Sequence, residues 1–157
     1  MITVSKKGIE LIKRFEGLRL KAYYCPANVL TIGYGHTGAD VFQGQVITEL
    51  EAEQLLVNDL VNFSQGVKNR LAVDVNQYQF DALVSFAYNV GLGAFERSTL
   101  LKKVNANRND YGIKHEFKKW VYANGSKLKG LELRRNAEAE LYFTMISDNY
   151  HKTEHTV

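Results

Sequence analysis

A mainly helical α+β fold is predicted from three features of the sequence. Apolar residues recur at helical spacing between recognisable caps over most of the chain. One stretch, Lys21–Tyr34, changes to β-branched and aromatic residues around a turn. No Pro-rich linker, repeat or low-complexity tract separates the segments. With 157 residues, 45% hydrophobic and 24% charged, the chain suits one soluble domain, or two small lobes sharing a core. We expect a single domain over 1–157, with a hairpin lobe at about 17–50 and a larger helical lobe at about 70–150 that also receives the N-terminal helix.

Ser5 can cap a helix with Ile9, Leu11, Ile12 and Phe15 mostly on one face, and Gly17 tolerates the positive φ that ends helices. Glu16 then occupies the last turn, where its charge opposes the negative end of the helix dipole; the placement is costly unless a cation is near or the site uses it. In Cys-Pro-Ala-Asn, Pro26 suits the second position of a turn and Asn28 tolerates a left-handed conformation, so a hairpin bends at Cys25. In the returning strand Leu30, Ile32 and Tyr34 share one face while Thr31, Gly33 and Gly35 share the other. The second face, nearly bare, is expected to leave room for a ligand beside Thr31. Gly38–Val46 reads as loop or an irregular third strand.

Thr48-Glu49-Leu50-Glu51 has capping-box form and opens a helix toward Arg70 with Leu55, Leu56, Leu60 and Phe63 inward. Asn76-Gln77-Tyr78-Gln79 repeats the signature ahead of FDALVSFAYNVG, apolar almost all round, closed by Gly91 and destined for the centre of the larger core. Ser98 can cap a short helix over Thr99–Val104, Asp110–Tyr122 reads as another, and Gly130 precedes a long amphipathic segment, LELRRNAEAELYFTMI. Asn105–Asp110 and Asn124–Gly130 are turn-rich connections, and the tail HKTEHTV is expected to fray.

The formal charge of +3 and pI near 8.9 are too small and dispersed to point to nucleic acid. Lys102-Lys103 and Lys118-Lys119 read as solvated helix faces that can also draw the protein toward an anionic surface. No run of 18 apolar residues exists, and the start MITVSKKGIELIKRF lacks a cleavable apolar region. No stable membrane insertion and synthesis in the cytoplasm are therefore expected. The single Cys25 excludes an internal disulfide and leaves a free thiol. Cys25 and His36 alone lack the ligand spacing of a metal site, so neither metal nor cofactor is expected.

Glu16, Cys25 and Thr31 bring an acid, a thiol and a hydroxyl to one helix end and one hairpin. By residue type alone they read equally as a surface carboxylate, a small buried apolar residue and a strand former. The pattern around them is more specific. Glu16-Gly-Leu-Arg-Leu-Lys-Ala-Tyr, Cys25 and Thr31-Ile-Gly-Tyr-Gly-His resemble the Glu…Asp/Cys…Thr signature of phage-type lysozymes, glycoside hydrolase family 24. SFAYNVGLGAFERSTLLKKVN, the lone Trp120 and GLELRRNAEAELY are similar to the later helices of that family in order and spacing.

The resemblance implies a lysozyme-like fold, with a cleft between the small hairpin lobe and the helical lobe. It implies a monomeric muramidase that hydrolyses the β-1,4 bond between N-acetylmuramic acid and N-acetylglucosamine in bacterial peptidoglycan. As a phage lysin, such a protein lyses the host and reaches the wall through a separate membrane pore. Glycoside hydrolysis needs a proton donor for the leaving oxygen, and partial burial can keep a carboxyl protonated for that task. By resemblance Glu16 is the donor, with Cys25 and Thr31 activating or positioning water on the other face of the sugar. Cys25 departs from the commoner Asp; an ordinary thiol, with pKa ~8.5, is mostly uncharged at neutral pH. A catalytically silent wall-binding module of the same fold is therefore the alternative.

The same comparison suggests contacts around the centre. Asn89 is expected to bond the sugar's acetamido group or merely to cap its helix, and Tyr34 and Arg135 are assigned to substrate. Tyr23, Tyr24 and Tyr88 can stack on sugar rings or belong to the core. Arg134 and His36 are expected to support the site from behind. One of Arg134 and Arg135 is expected to pair with Glu16, an arrangement that favours the ionised carboxylate and must be balanced by burial.

Overall fold

The structure, a computed structural model, describes the backbone of residues 2–155 and the side chains of residues 2–144. Helix α1, Lys6–Glu16, begins where Ser5 accepts a hydrogen bond from the Gly8 amide and ends at Gly17, φ 72°. Its start is tied to helix α3, Gln77–Val90, through the buried Asp81. That carboxylate accepts from the Ser5 amide at 2.9 Å, from the Ser5 hydroxyl and from the Gln77 side chain at 2.8 Å. Gly8 permits the approach, because a Cβ there would sit 2.7 Å from Val4 Cγ1 and 2.8 Å from Asp81 Cγ.

Strands β1 (Arg19–Tyr24), β2 (Leu30–Gly33) and β3 (His36–Thr37) form one antiparallel sheet in that order. The bend is closed by Cys25 N–H to Val29 O at 3.0 Å and Asn28 N–H to Cys25 O at 2.7 Å, with Asn28 at φ 61°. Gly38–Val46 is loop, the first of the two readings given for it, with an isolated bridge from Val46 to Lys21, and the third strand lies upstream of it. The second face of β2 is not bare. Ile47 and helix α2 (Glu49–Arg70) close over Gly33, where a Cβ would lie 3.5 Å from Ala52 Cβ, and Thr31 is only 4% exposed.

Both capping boxes form as the sequence predicts, opening α2 at Thr48 and α3 at Asn76. In α2, Leu56 and Leu60 are buried and Leu55 and Phe63 partly so. Phe80, Ala82, Leu83, Val84, Phe86 and Ala87 of α3 are all fully buried, so this helix is the axis of the helical core. Each large apolar side chain there contributes roughly 1.5–3 kcal/mol by leaving water.

Helices α4 (Leu92–Arg97), α5 (Thr99–Ala106) and α6 (Gly112–Lys118) follow, with Ser98 capping α5 as expected. Helix α6 ends at Lys118 and not at Tyr122. There the chain enters a hairpin, β4 (Tyr122–Ala123) with β5 (Ser126–Lys127), turned by Asn124 at φ 52° and Gly125 at φ 80°. Asn-Gly is the residue pair such a two-residue turn demands, and it marks a strand pair where the sequence reading placed only a connection. Helix α7, Lys129–His155, packs along α3 and carries helical backbone into the tail expected to fray; residues 156–157 lie outside those described. Among the described residues no helix is long and apolar enough to cross a membrane.

Candidate active site

Glu16 stands where the end of α1, the turn after β2 and the α3–α7 pair meet. Its Oε2 accepts from Arg134 Nη1 at 3.1 Å, and its side chain remains 18% exposed. Gly35, at φ 86°, presses bare backbone against the carboxylate: a Cβ there would lie 3.3 Å from Glu16 Oε1 and 3.5 Å from the Tyr88 hydroxyl. That hydroxyl donates to the Tyr34 carbonyl at 2.6 Å, fixing the turn to α3. Burial, followed by the nearby Glu16 charge, raises the Tyr88 pKa well above the ordinary phenol range, so it stays a neutral donor.

Arg134 is the cation that the helix-dipole argument required, and it is shared. Its Nε donates to Glu138 Oε2 at 3.3 Å and its Nη2 to the Ser85 carbonyl at 3.0 Å. Arg135 points elsewhere, donating from Nη1 to Glu138 Oε1 at 2.8 Å and from Nη2 to Asn89 Oδ1, with its guanidinium 4.9 Å above the Phe86 ring. Glu138 also accepts from the Ser85 hydroxyl at 2.6 Å and is completely buried. Burial pushes Glu138 up from the ordinary carboxylate range while the two guanidiniums pull it back. Its oxygens accept from three side chains, the pattern of the ionised form.

Two of the expected substrate contacts are buried. Arg135 is 0% exposed and Tyr34 6% exposed, so neither offers surface to a sugar without rearrangement. Arg135 instead holds Asn89, which is exposed at the end of α3 and has its carbonyl oxygen occupied, leaving the amide N–H groups to face solvent. Tyr34 contributes its backbone carbonyl to Tyr88 and its ring to the core. Of the other tyrosines, Tyr24 is 55% exposed, and Tyr23 is stacked under the Arg19 guanidinium at 4.1 Å.

Cys25 and Thr31 come together across the hairpin. Thr31 pairs with Tyr23 in β1 and donates its hydroxyl proton to the Val29 carbonyl at 2.8 Å. The Cys25 thiol is pulled below its ordinary pKa, first by the Val29 backbone and then by the Ala27 backbone and the Thr31 hydroxyl, while desolvation works the other way. The hairpin thus makes a thiolate easier to form.

His36, next to Gly35 in the chain, has two carboxylate partners of its own. Its Nδ1 meets Asp59 Oδ2 of α2 at 2.7 Å, and its Nε2 lies 3.0 Å from both oxygens of Asp40. Burial disfavours the imidazolium, but the two carboxylates outweigh it and raise the pKa, so the ring clamps β3 onto α2. Glu138 escaped the sequence reading although a signal was present: it stands four residues after Arg134 and three after Arg135, the spacings that pair side chains on one helix. Ser85, a hydroxyl in an otherwise apolar turn of α3, was the other clue.

Residues 13–138 match the family model described as phage lysozyme. An endolysin of Bacillus phage B103 is 51% identical over 94% of this chain and 57% of its own length. An endolysin of Acyrthosiphon pisum secondary endosymbiont phage 1 is 46% identical over 88% of this chain and 97% of its own length. The chain therefore spans little over half of the Bacillus phage protein but nearly all of the other. Among solved structures, the muramidase domain of SpmX from Asticaccaulis excentricus superposes with a TM-score of 0.83 at 38% identity, covering 90% of this chain and 98% of that one.

Proposed function

The chain belongs to the phage lysozyme family, and on that premise we propose that it is an endolysin-type muramidase of glycoside hydrolase family 24, carrying Cys where Asp is commoner. The substrate is bacterial peptidoglycan, cut at the β-1,4 bond between N-acetylmuramic acid and N-acetylglucosamine. The chain works as a single lysozyme-like domain, a monomer without cofactor, and reaches the wall through a separate membrane pore. The observation that carries the reading is Glu16: a carboxylate 18% exposed at a helix end, fixed by Arg134 and walled by Gly35 and Tyr88.

In the proposed reaction the Glu16 carboxyl gives its proton to the glycosidic oxygen as the bond from that oxygen to the sugar C1 breaks. Water adds to C1 from the opposite face, oriented by the Thr31 hydroxyl oxygen. Its proton passes to the Cys25 thiolate, so acid and base exchange roles and reset by proton exchange with solvent. Asn89 offers its amide to the acetamido group, while Arg134, Arg135 and His36 act from behind.

Turbidity loss with purified cell walls tests the assignment. Glu16→Gln, which keeps the shape and removes the proton, is expected to lower the rate by about 10²–10⁴-fold. Equal rates for the two proteins would remove Glu16 as the acid. Cys25 motivates the alternative, a wall-binding module without turnover; wall sedimentation of an inactive but tightly bound parent chain would favour it.

A further inference from the structure

Arg134 bridges two carboxylates, and only one of them belongs to the reaction. Glu138 occupies the far side of the same guanidinium, 3.3 Å from Nε, and also takes the Arg135 guanidinium at 2.8 Å. We propose that Glu138 is a positioning residue for Glu16: by neutralising one of two adjacent buried arginines it limits the positive charge that Arg134 brings to bear on the Glu16 carboxyl, so that Glu16 can keep the proton it donates. This rests on the reading of Glu16 as the acid.

The charge count gives the reason. Arg134 and Arg135 contribute two positive charges and Glu138 removes one, so Glu16 faces a net single positive charge from α7. Without Glu138 it would face both, in a setting where Arg134 and Arg135 are 3% and 0% exposed and water screens little. The other elements packed on Glu16 do not replace that control. α3 presents Tyr88, whose hydroxyl is committed to Tyr34, and the sheet presents the backbone of Gly35. From α2 the nearby charge is Asp59, which is bound to His36, and within α1 Lys13 is directed to Glu53 and Glu10. Ser85 completes the device by donating to Glu138 from its hydroxyl and accepting from Arg134 at its carbonyl, which holds both partners to one turn of α3.

The test is direct titration of the ¹³C-labelled Glu16 side-chain carboxyl by NMR, which does not depend on hydrolysis. Removing the negative charge with Glu138→Gln should lower the Glu16 midpoint by about one pH unit. Removing one positive charge with Arg135→Gln should raise it by a similar amount. The double variant, with the wild-type charge balance restored, should titrate near the parent. A structural role alone would not produce shifts of opposite sign. A midpoint unmoved in either folded single variant, or moved the same way in both, overturns the proposal; if Glu138→Gln does not fold, the double variant decides it, because a midpoint as high as in Arg135→Gln overturns the proposal and one near the parent supports it. Loss of the muramidase reading shows up separately, as a parent chain inactive on walls.

Discussion

On one side of Glu16 lies the β1–β2–β3 sheet, and on the other the α3–α7 pair, and they hold their reactive groups by different means. Cys25, Asn28 and Thr31 are placed by hydrogen bonds that span two to four residues of chain. Arg134 reaches Glu16 across 118 positions and Ser85 across 49. The first region spreads its support over backbone bonds and leaves Cys25 partly accessible; the second concentrates charge where almost no water enters. Damage should therefore be local and mild in the hairpin, and global in the helix pair.

The largest effect is expected from Glu138→Ala, which strands two buried guanidiniums and should cost about 3–5 kcal/mol in denaturant unfolding. A loss under about 1 kcal/mol would erase the contrast between the regions.

His36→Asn removes the clamp that holds β3 to α2, at about 1–2 kcal/mol where the clamp is fully charged. The His36 pKa is raised in the fold, so its contribution is complete below the ordinary 6.5 and disappears as pH rises through the raised value. The Asp40 pKa is lowered, first by the bond to His36, so its contribution is present above 3.8 and disappears as pH falls through the lowered value. The stability gap between parent and variant should peak between those limits; a gap that grows above pH 8 would refute the clamp.

Asn28→Ala forces a Cβ residue without side-chain compensation into the left-handed turn and should cost about 1 kcal/mol, whereas Asn28→Gly should lie within about 0.5 kcal/mol of the parent. Smallest of all in stability is Cys25→Asp, within about 0.5 kcal/mol. Its effect belongs to activity: an Asp base is ionised at lower pH, so the pH optimum of wall hydrolysis should move downward. Thiol alkylation of the parent should stop wall clearance, and clearance at the unmodified rate would show that Cys25 is not the base.

Much of the architecture was legible because it is written in short-range chemistry. Ser5, Thr48, Asn76 and Ser98 each cap the helix predicted for them, and Asn28 takes the conformation its type allows. The one hairpin read as a plain connection, around Asn124-Gly125, also carried a local signal. The face of β2 was different: alternation along a strand tells which residues share a side, but not what packs there. The bare glycine face proved to be a seat for Ala52.

The sequence by itself determined the family, through its motifs, and the starts of the helices at Ser5, Thr48, Asn76 and Ser98, because capping, turn formation and periodicity act over a few residues at a time. Tertiary structure alone decided that Arg134 and not Arg135 meets Glu16, that Asp40 and Asp59 both hold His36, and that Gly35 gives the Glu16 carboxylate its wall. Neighbouring residues on a helix point about 100° apart, so which of two adjacent arginines faces a distant carboxylate depends on how α7 is rotated against α3. That rotation is set by the packing of the whole core, and no short stretch of sequence contains it.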